Sequence, residues 1–511
     1  MRRSPQARTI AVVLVMTMGA VAWITGARHR FFDYDEIYHA HVSWLIAQGH
    51  RPFHDFLASH SPLLWYAVAP LWRILPDAPS ALIPLRLVGA TGSVLSIVTM
   101  VLAWSAVRRE LPIGWLVVGV TTIAFSRDIL DFGIEFRPDS WSTALLFFAF
   151  FLFLTGRPAS LPLRCALFGG LTALAVLTSP KFFLVPLLFV AIDVIARARN
   201  RDRPGAALIG YGAGLAAGGL LMVAFLRVAH IDTQLAFEMA IRYQWVFVRN
   251  SGFHRGLLES VLRHPQLLAL VAAGVSAWCA YLVTARRPPQ AYEIAVLAFL
   301  VLQLFVVDRP YKQYYGPWFL LAACFVPFAG FHVERAFARA RPWCFALAIV
   351  ISASTAWNAW QSFARDDGAR RMLAFYDAIT EWSAKDDAII AYPPLHPVVR
   401  RDVFYAWNRT TDPTGFGTER IMRTLAVPGF SERFDSAYYG RELGANRPPV
   451  IVSPRSDDWA YEPGQWAAVR DFLAMHRASY VLVDRGLMQP VWVLRDRLDG
   501  ARVGELTSPA R

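Results

Sequence analysis

A polytopic helical membrane protein with a soluble α/β domain at its C-terminal end is the fold class this sequence predicts, and three observations predict it. Of the 511 residues, 55% are hydrophobic and only 17% charged, against roughly 25% charged in an ordinary soluble protein. The apolar residues fall into blocks close to the roughly 20 residues of helix that cross about 30 Å of hydrocarbon. Those blocks stop near Arg365, and residues 365–511 have the composition of a soluble domain.

Eleven spanning helices are expected, at about 9–27, 82–106, 111–126, 139–155, 163–179, 181–197, 205–229, 265–284, 290–307, 313–331 and 341–358. The first follows Arg2, Arg3 and Arg8 and resembles a signal peptide without a convincing A-x-A cleavage site, so an uncleaved helix is expected. Residues 61–72 are also apolar, but the stretch is only about 14 residues long before Pro76 and Asp77. It reads as an interfacial or re-entrant segment.

With that segment not spanning, one alternate set of connections carries Arg108 and Arg109, Arg157 and Arg164, Arg197 to Arg203, Arg286 and Arg287, and Arg335 to Arg341, together with the basic N-terminus. The positive-inside rule makes this set cytoplasmic. The opposite set is external: 28–81, 127–138, the break at 178–180, 230–264, 308–313 and the C-terminal residues. The net charge of +13 is thereby read as a topology signal and does not call for nucleic acid as a partner. Membrane lipids are the expected surroundings of an inner, plasma-membrane protein with a cytoplasmic N-terminus.

Two domains follow: residues 1–364, including the external loop 28–81, and the extracytoplasmic residues 365–511. In the second, 387–392, 449–453 and 480–483 read as buried strands and 466–476 as a helix. The four cysteines lie in or beside apolar blocks without metal-ligand spacing and read as packing residues. No repeat, Walker A or dinucleotide-binding glycine pattern is present, so ATP-driven transport has no support.

The first external loop opens with Phe31-Phe32-Asp33-Tyr34-Asp35-Glu36-Ile37-Tyr38-His39-Ala40-His41. Asp33 and Glu36 have the spacing of a capping box, and Ile37, Ala40, His41, Trp44 and Leu45 form an amphipathic stripe behind it, so capping is one explanation of the carboxylates. Asp35 would sit in the first helical turn, where the dipole favours the ionised form that a general base needs. Transfer of a sugar to a hydroxyl asks a carboxylate to take the acceptor's proton while phosphate leaves from the opposite face.

The DxDE after the first helix, followed by Gly49-His50-Arg51-Pro52-Phe53-His54-Asp55-Phe56 and His60-Ser61-Pro62-Leu63, resembles the GT-C glycosyltransferases. The likeness is to the bacterial branch with protein O-mannosyltransferases and the lipid A aminoarabinose transferase, of the glycosyltransferase family 39 type. It extends to Asp131-Phe132-Gly133-Ile134-Glu135-Phe136-Arg137-Pro138-Asp139 and to Asp308-Arg309-Pro310-Tyr311-Lys312-Gln313-Tyr314-Tyr315. Nearly the whole layout is covered, although each motif is short and degenerate. Family members commonly carry two prolines where this chain has Ser61-Pro62. The resemblance implies a catalytic acidic pair at Asp35 and Glu36, with Asp33 as neighbour.

Arg137, Lys181, Arg309 and Lys312 fall on the external side against the usual bias, and a lipid phosphate held there would account for them. Snorkelling at helix ends is the plainer explanation. Tyr314 and Tyr315 join them as donor-binding candidates, and Asp55, His60 and Asp139 are further candidates. His39, His41, His50, His54 and His60 could ligate a divalent cation, yet no H-x-x-x-H or HExxH spacing occurs among them. The branch resembled is generally metal-independent, so no cofactor is expected, with a divalent cation as the alternative.

Trp44, Trp65, Trp72, Tyr38 and Tyr66 read as interfacial anchors. Glu238, Arg242, Tyr243, Trp245 and Arg249 lie in an external loop with no readable chemistry. The expected activity is inverting transfer of a sugar, hexosyl or pentosyl, from a polyprenyl-phosphate donor to an external protein, lipid A or glycan acceptor. A transporter or flippase would instead show inverted repeats and mid-span charge. A polysaccharide polymerase or ligase would show a large arginine-rich loop.

Overall fold

The computed structural model describes residues 5–498 except 54, 57, 59, 109–110, 112, 244–255, 287, 307–311, 338, 340, 392, 404–435, 454–462 and 485. Every block expected to span is helical. The helices are Pro5–His29, Leu82–Val107, Ile113–Ala124, Pro138–Leu154, Leu161–Thr178, Leu184–Asn200, Pro204–Val228, Pro265–Ala285, Ala291–Val306, Lys312–Ala322 continued by Val326–Ala336, and Arg341–Ala364. Among the described residues seven helical stretches are long and apolar enough to cross a membrane, or eight if Ile113–Ala124 and Arg127–Ile134, bent by 80°, form one span. Pro138–Leu154 and Ala291–Phe305 are shorter apolar helices.

The chain divides into two compact units. The first comprises residues 1–30, 86–223 and 253–366, and the second 31–85, 224–252 and 367–511. Contacts therefore group the loop after the first helix with the C-terminal residues, whereas composition had grouped it with the apolar blocks.

In the first unit Pro5–His29 packs on Arg341–Ala364, Pro138–Leu154 on Leu161–Thr178, and Leu184–Asn200 on Ala291–Val306. Phe150, Phe153, Phe168 and Phe189 meet with centroids 4.9 to 5.6 Å apart, mostly edge to face, the arrangement favoured by ring quadrupoles. Glycine lets backbones approach where a side chain would not fit. A Cβ on Gly89 would run into the carbonyl oxygen of Glu135, so the Leu82–Val107 helix lies directly against the turn that carries Glu135.

In the second unit Tyr34–Ala47 is followed by the short helix Leu63–Val68 and the 3-10 turn Ala69–Arg73, so residues 61–72 form no long helix. Tyr34–Ala47 ends in a Schellman arrangement: His50 N–H donates to Leu45 O at 3.0 Å and Gly49 N–H to Ile46 O at 2.9 Å. Gly49, at φ +92°, supplies the left-handed residue that this ending requires.

The C-terminal part holds β1 (Ala388–Ile389), β2 (Arg401–Asp402), β3 (Val450–Val452), β4 (Tyr480–Val483) and β5 (Val491–Leu494). β1 and β2 pair in parallel, while β5 lies antiparallel between β3 and β4. Ile390 bridges to Ile451 and joins the two sheets. Helices Gly368–Glu381, Ser436–Asn446 and Pro463–Met475 complete this part. The sequence reading found β1, β3, β4 and the last helix; it missed β2 and β5, both too short to establish a period of two.

Candidate active site

Charged side chains of the first unit converge where five helices end or begin. Arg30 follows Pro5–His29, and Arg86 donates from Nη1 to the carbonyls of Ala27 (3.1 Å) and Arg30 (2.7 Å), satisfying acceptors left over at that helix end. Glu135 is the C-cap of Arg127–Ile134 in extended conformation. Arg137 is the N-cap of Pro138–Leu154, held extended by the proline that follows it. Lys181 lies in the short turn after Leu161–Thr178, and Lys312 opens Lys312–Ala322.

These residues form a continuous ladder. Arg30 Nη2 donates to Glu135 Oε1 at 2.7 Å and Arg137 Nη1 to Glu135 Oε2 at 3.1 Å. Arg30 also contacts Asp131, and Lys312 contacts Glu135 and reaches Asp131 Oδ2 at 3.3 Å. Arg137 Nε lies 3.4 Å from Asp139 Oδ2, while Lys181 Nζ and Ser179 Oγ both donate to Asp139 Oδ1 at 2.8 Å. The Arg30, Glu135, Arg137 and Asp139 side chains are almost wholly buried, whereas Lys181 and Lys312 keep 17% exposure each. Lys181 Nζ stands 5.2 Å from the Tyr314 ring centre, a cation–π distance. Tyr315 packs on His264 with centroids 4.8 Å apart.

Pairing with carboxylates is thus an account of Arg137, Lys181 and Lys312 that the sequence reading did not offer. A buried cation must be paired, and Asp131, Glu135 and Asp139 do this. Arg30, Arg86 and Glu135 were not among the candidates, although Glu135 stood in a quoted motif. Arg309 and His54 lie outside the described residues, as do Trp245 and Arg249.

In the second unit Asp33 caps Tyr34–Ala47. Its Oδ1 accepts from Asp35 N–H at 3.2 Å, and Glu36 Oε2 accepts from Asp33 N–H at 3.0 Å, so the capping box is formed. Glu36 is fully buried and Asp35 half-buried. His39 Nδ1 accepts from Trp65 Nε1 at 2.8 Å, and the His60 ring packs on Tyr38 and His39 at 5.6 and 5.1 Å. Asp55 closes a local turn by accepting from Arg51 N–H at 2.7 Å. Trp44 Nε1 donates to Asp77 Oδ1 at 3.2 Å and Trp72 Nε1 to Ser43 Oγ at 2.9 Å, so both indoles have partners within the unit.

Among the described residues one group, His41, His396 and Asp402, offers possible metal-ligand atoms within 4.8 Å of one another. A three-ligand ion does not fit it. Val398 N–H donates to His396 Nδ1 at 3.0 Å, which leaves the ring proton on Nε2, the atom facing the other two residues. A metal-bound imidazole has the reverse pattern.

The sequence matches no protein-family model and no curated protein. Solved structures do match in fold. ArnT from Cupriavidus metallidurans bound to undecaprenyl phosphate superposes with a TM-score of 0.60 at 14% identity, covering 98% of this chain and 99% of that one. The apo state of the same protein gives 0.56 at 14% identity, covering 99% and 100%. The archaeal oligosaccharyltransferase AglB from Archaeoglobus fulgidus, in complex with an inhibitory peptide and a dolichol-phosphate, gives 0.52 at 13% identity over 97% of this chain and 76% of that one. The fold is therefore the GT-C fold, in a multi-pass membrane protein.

Proposed function

We propose that this chain is an integral-membrane glycosyltransferase of the inner membrane that moves a sugar from a polyprenyl-phosphate donor to an acceptor outside the cytoplasm, with inversion. The observation that carries the reading is the ladder of Arg30, Arg137, Lys181 and Lys312 across neighbouring helix ends. Lysine and arginine held in place by carboxylates can exchange part of their coordination for phosphate oxygens without reorganising. Lys181 and Lys312, the more exposed pair, are the cations to reach a lipid phosphate, with Tyr314 beside Lys181. The undecaprenyl phosphate of the ArnT structure and the dolichol-phosphate of the AglB structure support this ligand class.

In the reaction the acceptor hydroxyl oxygen attacks the anomeric carbon. The bond from that carbon to the phosphate oxygen breaks, the phosphate leaves with the electron pair, and the hydroxyl proton passes to Asp35. Asp35 suits the base because its carboxylate, unlike those of Asp33 and Glu36, is not a member of the capping box. Asp33 and Glu36 act by fixing the helix start beside it. The N-terminus is assigned to the cytoplasm and residues 365–511 to the outside, where they take part in acceptor recognition. The acceptor class is a protein hydroxyl, lipid A or another glycan; the sugar is a hexose or a pentose.

The test is transfer of radiolabelled sugar from a panel of polyprenyl-phosphate sugars to membrane acceptors by the native protein and by Asp35→Asn. Transfer by the native protein, reduced at least ~100-fold in the variant, is the expected result. No transfer from any donor overturns the enzyme reading, and equal transfer by both removes Asp35 from the base role.

A further inference from the structure

Residues 396–402 contain a backbone feature that the proposed reaction does not use. Val398 is fully buried and lies at φ +72°, a genuine outlier for a β-branched residue. Val399 N–H reaches back to Pro397 O at 2.9 Å, so Val398 is the centre of a γ-turn of the rare, strained hand. Such strain persists only where the surroundings enforce it.

Here both backbone polar groups of the strained residue are spent on histidines. The Val398 carbonyl accepts from His41 Nδ1 at 2.5 Å, and Val398 N–H donates to His396 Nδ1 at 3.0 Å. His396, with Nδ1 accepting, carries its hydrogen on Nε2, which lies 3.2 Å from Asp402 Oδ1. His41, with Nδ1 donating, turns Nε2 toward Asp402 Oδ2 at 3.0 Å. The His41 and His396 side chains are almost wholly buried, and the Asp402 carboxylate faces both rings.

Each end of the pair is anchored. Asp402 belongs to β2, whose neighbour Val403 donates to Ile389 O at 3.1 Å, and Ile390 continues β1 into β3 through bonds to Val450 and Val452. His41 sits on the buried face of Tyr34–Ala47, the helix that carries Asp35 in its first turn.

We propose that Asp402 and the Val398 turn are positioning residues that grip the His41 ring from its two nitrogens and so fix the rotation and axial placement of the helix bearing Asp35. The functional half of this inference rests on the reading of Asp35 as the base; the grip itself does not. Asp402 touches no reacting atom, and acts through His41.

The experiment is amide hydrogen exchange on the full-length protein in lipid nanodiscs, comparing the native chain with Asp402→Asn, Asp402→Glu and His41→Gln. Asp402→Asn is expected to speed exchange about tenfold or more in peptides covering 37–47 while leaving the Leu82–Val107 helix unchanged, and Asp402→Glu to restore part of the protection. If Asp402→Asn does not assemble, His41→Gln, which removes the gripped ring itself, carries the same comparison. Unchanged exchange at 37–47 overturns the grip. One equivalent of zinc in the native protein, lost in His41→Gln, overturns the direct contact of Asp402 with His41 in favour of a bridging ion. In the sugar-transfer assay, Asp402→Asn is expected to lower kcat about tenfold with the donor KM unchanged; unaltered kcat overturns the positioning role alone. Faster exchange in a protein that transfers no sugar leaves the grip standing and removes only the enzyme reading.

Discussion

Glu135 and Arg30 meet at 2.7 Å, the carboxylate fully buried and the guanidinium following the first helix. Arg137 holds the second oxygen of the same carboxylate at 3.1 Å and Lys312 also contacts it. Removing the charge in Glu135→Gln leaves three cations short of a shared acceptor. Losing one partner of a buried pair costs about 3–5 kcal/mol. Glu135→Gln is expected to lower the unfolding temperature in detergent by several degrees, whereas Asp55→Asn, at a half-exposed local turn, should shift it little. Equal shifts would refute the central placement of Glu135.

Gly89 tests the same site from the backbone side. A methyl group there would meet the Glu135 carbonyl oxygen, which cannot rotate away as a side-chain tip could. Overpacking of this kind costs about 1–3 kcal/mol. Gly89→Ala is expected to lower thermal stability in detergent, and Gly205→Ala, which would meet nothing, is expected to leave it unchanged or raised slightly.

Lys181 and Asp139 are the pair through which ligand binding is best separated from folding. Asp139 retains Arg137 and Ser179 when the lysine is lost, so Lys181→Met should leave a folded protein. Loss of one direct phosphate contact is expected to weaken binding of a polyprenyl phosphate about tenfold, measured by ligand-dependent thermal shift, with Lys181→Arg retaining most of the affinity. Undiminished binding in Lys181→Met would take this residue out of the phosphate site.

Asp33 and Asp35 separate capping from chemistry. Asp33→Ala removes the N-cap acceptor and should cost about 1 kcal/mol, read as faster exchange at the start of Tyr34–Ala47. Asp35→Asn keeps the box and should leave that exchange as it is, while transfer is lost. A stability loss as large in Asp35→Asn as in Asp33→Ala would mean that Asp35 too is structural.

How much of this was legible in the sequence differs by element. All eleven apolar blocks are helices because length and hydrophobicity are local properties, and the Asp33–Glu36 box was visible because its spacing is set within one turn. Arg30 and Arg86 were not visible as site residues, because basic residues at helix ends are the ordinary sign of topology. Their pairing with Asp131, Glu135 and two backbone carbonyls depends on which helices become neighbours. His41 was noticed only as one histidine in a cluster; its partners lie more than three hundred positions away, and no local period encodes them. β2 is two residues long and exists because β1 and the His41 contact hold it.

Acidification is the last test, and its sign follows from His396. Burial, opposed in part by Asp402, lowers this imidazole from 6.5 to about 4. In the unfolded chain the ring takes a proton below about 6.5, while in the folded chain it does so only near 4. The unfolded state therefore binds more protons throughout that window, and stability falls as pH falls, by roughly 3 kcal/mol once both pKa values have been passed. Asp402 acts in the same direction: burial alone would raise its carboxyl, but His396 and His41 hold it below the usual range, so its contribution is present at neutral pH and is lost on acidification through the folded-state value. The groups facing His396 are Asp402, His41 and Arg400. Between pH 7 and pH 4.5, hydrogen exchange corrected for its intrinsic pH dependence should accelerate in peptides spanning 37–47 and 393–403, and not in the Leu82–Val107 helix. His396→Gln should flatten this response, since the amide cannot titrate. A slope as steep in His396→Gln as in the native chain would assign the acid sensitivity to other groups.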